Sequence, residues 1–494
     1  MDISSLTGEN GGTPEQEKDN VVEYTAQAAS SLVSGEVKMT IGDNALTVAA
    51  LFDTVEITFA EMNELKMADY TVIVRADSGD YTFSRMGSWC EPFYGTLCDE
   101  YNKAVLRSLF IKSKSVVTAK GDYRYTEKNT ESSGAAPVRV YDNNVTVLPP
   151  DLSARRVPLC FTTGLDKGDF STTLMLDTGE SYTFAKLGYD TAPFTDAVEK
   201  QIRKLREESL TAVKDIDPSL PTAPASQLAK LMPRGAAAPI GQIAGIAPSF
   251  VTALEGKIAA TRAAESYTVF KELCDPTQIW VGFRKNETAK DAGGTMPGGA
   301  MADGAASDDL SDGNGSVDAI NGSDDNGGQN EAAPDPFLLW LIAPSPDGLF
   351  AAVEFAEANS ATFVYRTGGD FTAFARQINR ALEAIDFKRE VIRLSDEELR
   401  KPENADYYMA DKRTAALQYV RGAFTGRVIH ASLESWKRKL TELWSPGKTV
   451  AGSTPTSSTI ESPDPARTGS KFCGQCGAAL APGMKFCGSC GAKV

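Results

Sequence analysis

The chain of 494 residues carries 50 Lys+Arg against 66 Asp+Glu, a formal net charge of −16, and a length that implies several domains. An apolar share of 42% can build real cores and excludes wholesale disorder. A single histidine, His430, argues against a His-dependent triad or a His-rich metal site, and the longest apolar run, Phe337 to Pro344, is far short of the ~20 residues that cross a bilayer.

Residues 1–22 are polar and acidic with no apolar stretch of the secretory kind, which predicts a disordered tail and a cytoplasmic protein. An internal repeat follows. Asp77-Ser78-Gly79-Asp80-Tyr81-Thr82-Phe83 matches Asp177-Thr178-Gly179-Glu180-Ser181-Tyr182-Thr183-Phe184 with one inserted residue. Upstream, Asp43 to Val48 matches Asp142 to Val147, and downstream Pro92-Phe93 matches Pro193-Phe194. A third, weaker copy ends at Thr362 to Gly368. Gly87, Gly188 and Gly368 each precede a phenylalanine (Phe93, Phe194, Phe374) by six residues and follow a basic residue (Arg85, Lys186, Arg366) by two.

Within each copy, alternating residues such as Val72, Val74 and Tyr81, Phe83 predict half-buried strands, with strands expected at 35–41, 45–51, 54–60 and 69–86 in the first. A helix at period 3.6 closes each copy: Phe93, Leu97, Tyr101, Ala104 and Leu109; then Phe194, Val198, Ile202 and Leu205; then Phe374, Ile378, Leu382 and Ile385. The predicted class is α+β and multidomain, with units at 23–112, 113–213 and 265–390. Antiparallel strands closed by a C-terminal helix resemble the pleckstrin-homology and GRAM-like superfold. An unrelated small α+β unit is the competing reading.

Residues 214–264 connect the second and third copies. Six prolines from Pro218 to Pro248 interrupt them, while Ser226 to Met232 and Ser249 to Arg262 keep helical spacing, so short packed helices are expected. Strands near 266–285 and 336–366 are expected to form the third sheet. Between them, 286–335 holds eleven acidic residues against Lys290, with abundant glycine, and reads as a disordered acidic insertion. A calcium loop is not supported there, because from Asp312 the fifth and sixth positions are Ser316 and Val317, where an EF-hand needs Asp or Asn and then Gly. Residues 391–445 predict a helical appendage with a Ser395/Glu398 capping box and an apolar stripe of Leu433, Trp436, Leu440 and Leu443; Tyr407, Tyr408, His430 and Trp444 are expected to pack within it. Residues 446–470 read as a flexible Ser/Thr/Pro linker.

The last segment, 471–494, carries the sharpest signal. Cys473-Gly474-Gln475-Cys476 and Cys487-Gly488-Ser489-Cys490 are two C-x2-C pairs separated by ten residues, each within the repeated frame Lys-Phe-Cys-Gly-x-Cys-Gly. Four thiolates at this spacing close a tetrahedral shell around one Zn2+ and leave no position for a catalytic water, so the metal is structural. Disulfides and a thioredoxin-like redox pair are the alternatives; the first fit poorly with a chain lacking an export signal, and the second belongs at a strand-to-helix junction. The segment resembles the short C-terminal zinc-ribbon modules of many bacterial proteins. Cys90, Cys98, Cys160 and Cys274 lie in apolar periodic stretches without ligand spacing.

For function, no nucleophile with a base, paired carboxylates or phosphate-binding glycine loop is recognisable, so no enzyme is expected. Arg467, Lys471, Lys485 and Lys493, with Phe472 and Phe486, suit nucleic acid, but the acidic chain offers no wider basic footprint. The superfold resemblance suggests phosphoinositide binding, for which one recurring basic residue per copy is too few. The favoured expectation is a non-enzymatic scaffold or adaptor for a protein partner, its ribbon held on a tether.

Overall fold

A computed structural model of the chain describes residues 22–127, 130–285, 337–356, 361–444, 471–472 and 479–480. The expected tail (apart from Val22), the acidic insertion and the linker lie outside the described residues. The first sheet contains β1 (Glu23–Ala29), β2 (Ser34–Ile41), β3 (Ala45–Ala49), β4 (Thr54–Thr58), β5 (Met62–Ala68), β6 (Thr71–Ala76) and β7 (Gly79–Ser84), followed by α1 (Cys90–Ser108). Its strands run antiparallel in the order β4-β3-β2-β1-β7-β6-β5, so the last strand returns beside the first. Alternation decides which side chains turn inward: Val72, Val74, Tyr81 and Phe83 are buried against Phe93, Leu97 and Tyr101 of α1.

The second sheet repeats this plan. It holds β8 (Val117–Glu127), β9 (Thr130–Val140), β10 (Asn144–Val147), β11 (Arg155–Pro158), β12 (Thr162–Lys167), β13 (Ser171–Leu176) and β14 (Ser181–Ala185), followed by α2 (Thr191–Ile216). The order is β11-β10-β9-β8-β14-β13-β12. Even the irregularity recurs: the register slips between Met62 and Glu64 in β5 and between Thr162 and Gly164 in β12. Arg85 (φ 61°) and Lys186 (φ 54°) both adopt the left-handed conformation just ahead of Gly87 and Gly188. These basic residues therefore mark a backbone step from strand to helix, and Lys186 is spent on Asp122 at 2.6 Å.

The third sheet departs from the expected copy. After α3 (Thr222–Leu231) come β15 (Ala238–Pro239), α4 (Ile240–Ile246), α5 (Pro248–Ala259) and α6 (Ala264–Leu273), then β16 (Trp280–Lys285), β17 (Phe337–Pro344), β18 (Phe350–Phe355) and β19 (Ala361–Arg366). Residues 264–273 are helical where a strand was expected, with Tyr267 and Phe270 buried on one face. The chain continues through α7 (Phe371–Ala384), α8 (Asp396–Leu399), α9 (Ala405–Arg413), α10 (Ala415–Ala423), β20 (Phe424–Ile429) and α11 (Leu433–Trp444). The sheet is an open meander, β15-β16-β17-β18-β19-β20, with no return of its last strand to its first. The reason is in the sequence: β17 and β18 are almost uninterrupted apolar runs, buried along nearly their whole length, and such strands need cover on both faces. Trp340, Ile342, Val353 and Tyr365 pack on Phe374, Ile378 and Leu382 of α7. On the other face Leu339, Leu341 and Val364 share a core with Phe250, Phe270 and Trp436. Repeat identity with the first two sheets is thus confined to the passage from β19 into α7.

The appendage is also more than helical, because β20 joins the sheet edge beside β19. The capping box at Ser395 and Glu398 is present, and Trp436, Leu440 and Trp444 are buried, whereas Leu433 stays exposed.

Candidate functional site

At the C-terminus a short antiparallel pair, β21 (Lys471–Phe472) with β22 (Ala479–Leu480), sets Lys471 opposite Leu480 and Phe472 opposite Ala479. The first C-x2-C pair falls in the chain that links these two strands. Cys473, Cys476, Cys487 and Cys490 themselves lie outside the described residues. As a donor set, four thiols in two C-x2-C pairs fit a tetrahedral zinc ion. Among the described residues there is no group of three or more His, Cys, Asp or Glu able to hold a metal.

The other cysteines have a different character. Cys90, Cys98, Cys160 and Cys274 are unpaired thiols. Burial pushes all four upward, Cys98 to about 11 and Cys274 to about 12, so they remain protonated and unreactive at neutral pH. His430 sits at the end of β20, its ring 4.6 Å from that of Trp436. Its Nε2 lies 3.0 Å from Thr362 Oγ1 and 3.3 Å from the fully buried Glu354, to which Thr362 donates at 2.6 Å. This cluster fastens α11 to the third sheet, in keeping with the packing role expected of His430 and Trp444. Tyr407 donates to Glu390 at 2.7 Å, and Tyr408 reaches back to the first sheet, donating to Asp77 at 2.7 Å.

Two features were invisible to sequence reasoning. The first is a buried ionic network joining the second sheet, the connector and α7. Arg156 donates to the carbonyl of Glu383 at 2.5 Å and to its carboxylate at 3.2 Å, and Arg234 reaches the same carboxylate at 2.8 Å. Burial alone would raise the Glu383 carboxyl, but Arg234 and Arg156 hold it below its usual value. Alongside, Arg380 approaches Glu180 at 3.4 Å, Tyr182 Oη lies 2.5 Å from Glu127 and 2.9 Å from Glu180, and Arg155 forks onto Glu127 at 3.1 and 3.2 Å. Its role is positional: it fixes α7 and the connector against the second unit.

The second feature is a cleft of about 320 Å³ bounded by Thr163 and Asp177 of the second unit, Lys230 of α3, Gln242 of α4, Trp280 of β16 and Arg376 of α7. Asp177 is the repeat counterpart of Asp77. In the first unit Asp77 accepts hydrogen bonds from Lys412 (2.6 Å), Tyr408 (2.7 Å) and Asn63 (2.9 Å). Burial would raise its carboxyl, but these donors keep it below the usual range. Asp177 receives no side-chain hydrogen bond among the described residues; although it reaches solvent, the crowding of the cleft walls pushes its carboxyl up to about 6 against the pull of Arg376 and Arg380. The repeated Asp-x-Gly turn makes Asp77 and Asp177 counterparts in the sequence, but the helices that line the cleft lie far along the chain and leave no local signal. No helix of the described residues is long and apolar enough to cross a membrane.

Comparison with known proteins bears on the C-terminus. No curated protein matches the chain. Residues 467–494 match the model of the zinc-ribbon domain, a family whose members typically bind zinc, so the α+β body carries a zinc-ribbon module at its C-terminal end.

Proposed function

We propose that the chain is a non-enzymatic, zinc-binding scaffold or adaptor that brings protein partners together. In this reading the first two units are PH-like, and Cys473, Cys476, Cys487 and Cys490 hold one structural Zn2+ whose affinity supplies the folding energy that some 24 residues cannot gain from apolar burial. The seven-strand order shared by both units, each with a C-terminal helix, supports the PH-like assignment. The observation that carries the adaptor reading is an internal docking event. Leu65 on edge strand β5 donates its backbone N–H to the carbonyl of Pro150 at 2.8 Å, and Glu64 bridges to Asp151, so the edge of a sheet of this kind takes a docked turn of chain through its backbone.

The test is affinity capture with the intact protein at about 0.15 M salt, beside a Cys476→Ser/Cys490→Ser variant. One zinc per chain and a protein partner retained by the wild type are expected, with the metal lost from the variant and its body still folded. Undiminished zinc in the double variant would refute the ligand assignment. Submicromolar binding of oligonucleotides at that salt, abolished by Lys471→Glu with Lys485→Glu, would replace the adaptor reading with a nucleic-acid one.

A further inference from the structure

The junction between the first two units has two halves, and each unit owns a version of both. The half that inserts is the tip after the third strand of the second unit: Leu148 and Ala154 are fully buried in the core of the first unit, and Pro150 offers its carbonyl to Leu65. The half that receives is the bulged edge strand β5, whose Leu65 is only 2% exposed within the core that Leu148 and Ala154 complete.

The first unit carries the corresponding tip. Ala50-Leu51-Phe52-Asp53, directly after β3, stands where Leu148-Pro149-Pro150-Asp151 stands directly after β10: three apolar residues and then aspartate. Among the described residues it enters no neighbouring unit: Ala50 packs against its own core, and Leu51 and Phe52 are 84% and 91% exposed. Conversely, the second unit carries the corresponding edge. In β12 the bulge recurs, and Leu165 faces Leu174 as Leu65 faces Val74, so its N–H points outward in the same way. Leu165 is only half-buried, and among the described residues no other backbone segment pairs with the outer side of β12.

We propose that the occupant is a second copy of this chain: the Ala50–Asp53 tip of one copy docks on the β12 edge of the next, repeating between molecules the junction made once within each. Among the described residues both complementary halves are unused on the same molecule, which singles out self-association over an unrelated partner. The contact is head-to-tail, because the surface that inserts differs from the surface that receives; it propagates into rings or short filaments instead of stopping at a symmetric dimer. The intermolecular tip is three residues shorter than the internal one and lacks the covalent tether that favours the internal contact, so association is weak and depends on concentration. The proposal stands independently of the adaptor reading.

Sedimentation velocity on the full-length protein tests it. The weight-average mass should rise above the 52.8 kDa of one chain as concentration increases. Phe52→Asp, at a side chain with almost no contacts to lose, should abolish that rise. Leu165→Pro removes the outward N–H without removing a ladder hydrogen bond, and Thr163→Lys charges the same edge with the backbone intact; either should do likewise while the circular dichroism remains that of the folded protein, the loss of Leu165 packing and of the Thr163 bond to Met175 lowering the melting temperature without unfolding the chain. Mixing Phe52→Asp with an edge variant leaves one intact tip and one intact edge, and should restore a single 1:1 dimer. A wild type that stays monomeric at every attainable concentration would overturn the proposal. So would association that survives Phe52→Asp, or folded single variants that remain monomeric when mixed.

Discussion

Asp77 and Asp177 occupy one position of a repeated unit and differ in what surrounds them. Lys412, Tyr408 and Asn63 converge on the first, while the second reaches solvent through a cleft whose crowded walls partly desolvate its carboxyl and raise it to about 6 from a usual 3.8. A carboxyl whose folded pKa lies above its unfolded value binds its proton more tightly in the native state. It therefore costs nothing below about pH 4 and penalises the fold increasingly as pH rises to 6. Asp177→Asn should stabilise the protein at neutral pH by about 1 kcal/mol, a figure discounted for the solvent that reaches the side chain, and the gain should vanish in acid. Denaturant midpoints at both pH values would show it; an unchanged midpoint at neutral pH would mean a fully hydrated carboxylate. At this scale the ribbon cysteines were legible because ligand spacing is a local property of the chain. The cleft was not, since Lys230, Trp280 and Arg376 come to line it with Asp177 only through tertiary packing.

Among the elements, the third sheet shows how far pattern reading extends. The helical stripes of α1, α2 and α7 could be read directly, and Phe93, Phe194 and Phe374 are all fully buried. β1 was missed because Tyr24, Ala26 and Ala28 form a weak strand signal, and β5 because its bulge breaks the alternation. The apolar run of β17 could be located but not its surroundings: a strand buried on both faces does not record in its own sequence which helices cover it. One residue on its neighbour does bear on the packing. Gly282 in β16 lies opposite Trp340, and a Cβ there would come within 2.1 Å of the indole. Trp340 has no free space, being fully buried and edge-on to Phe387 with ring centroids 5.1 Å apart. Gly282→Ala should cost about 1–3 kcal/mol through overpacking, read as a lower denaturant midpoint with altered tryptophan emission. A neutral effect would show that β16 and β17 can separate without penalty.

In the whole molecule, residues 286–336 separate two neighbouring strands, and their anchors are already joined, since Lys285 pairs with Phe337 at the end of the β16–β17 ladder. Closing a loop costs free energy that grows only with the logarithm of its length, about 0.6 kcal/mol per doubling. Deleting 291–330 should accordingly leave the melting temperature almost unchanged in calorimetry, and a large fall would reveal contacts from that segment to the body. The ionic network joining the second unit to α7 has a consequence for biosynthesis. Glu383 follows Arg156 by 227 residues, which at roughly 5–20 residues per second is a delay of tens of seconds. Throughout that interval the nascent second unit lacks Glu383, the carboxylate that pairs with Arg156 in the folded chain, and burying a lone guanidinium is costly. β11 must then keep Arg156 in water until α7 leaves the ribosome, so the native surface of the second unit is completed only after most of the chain has been made.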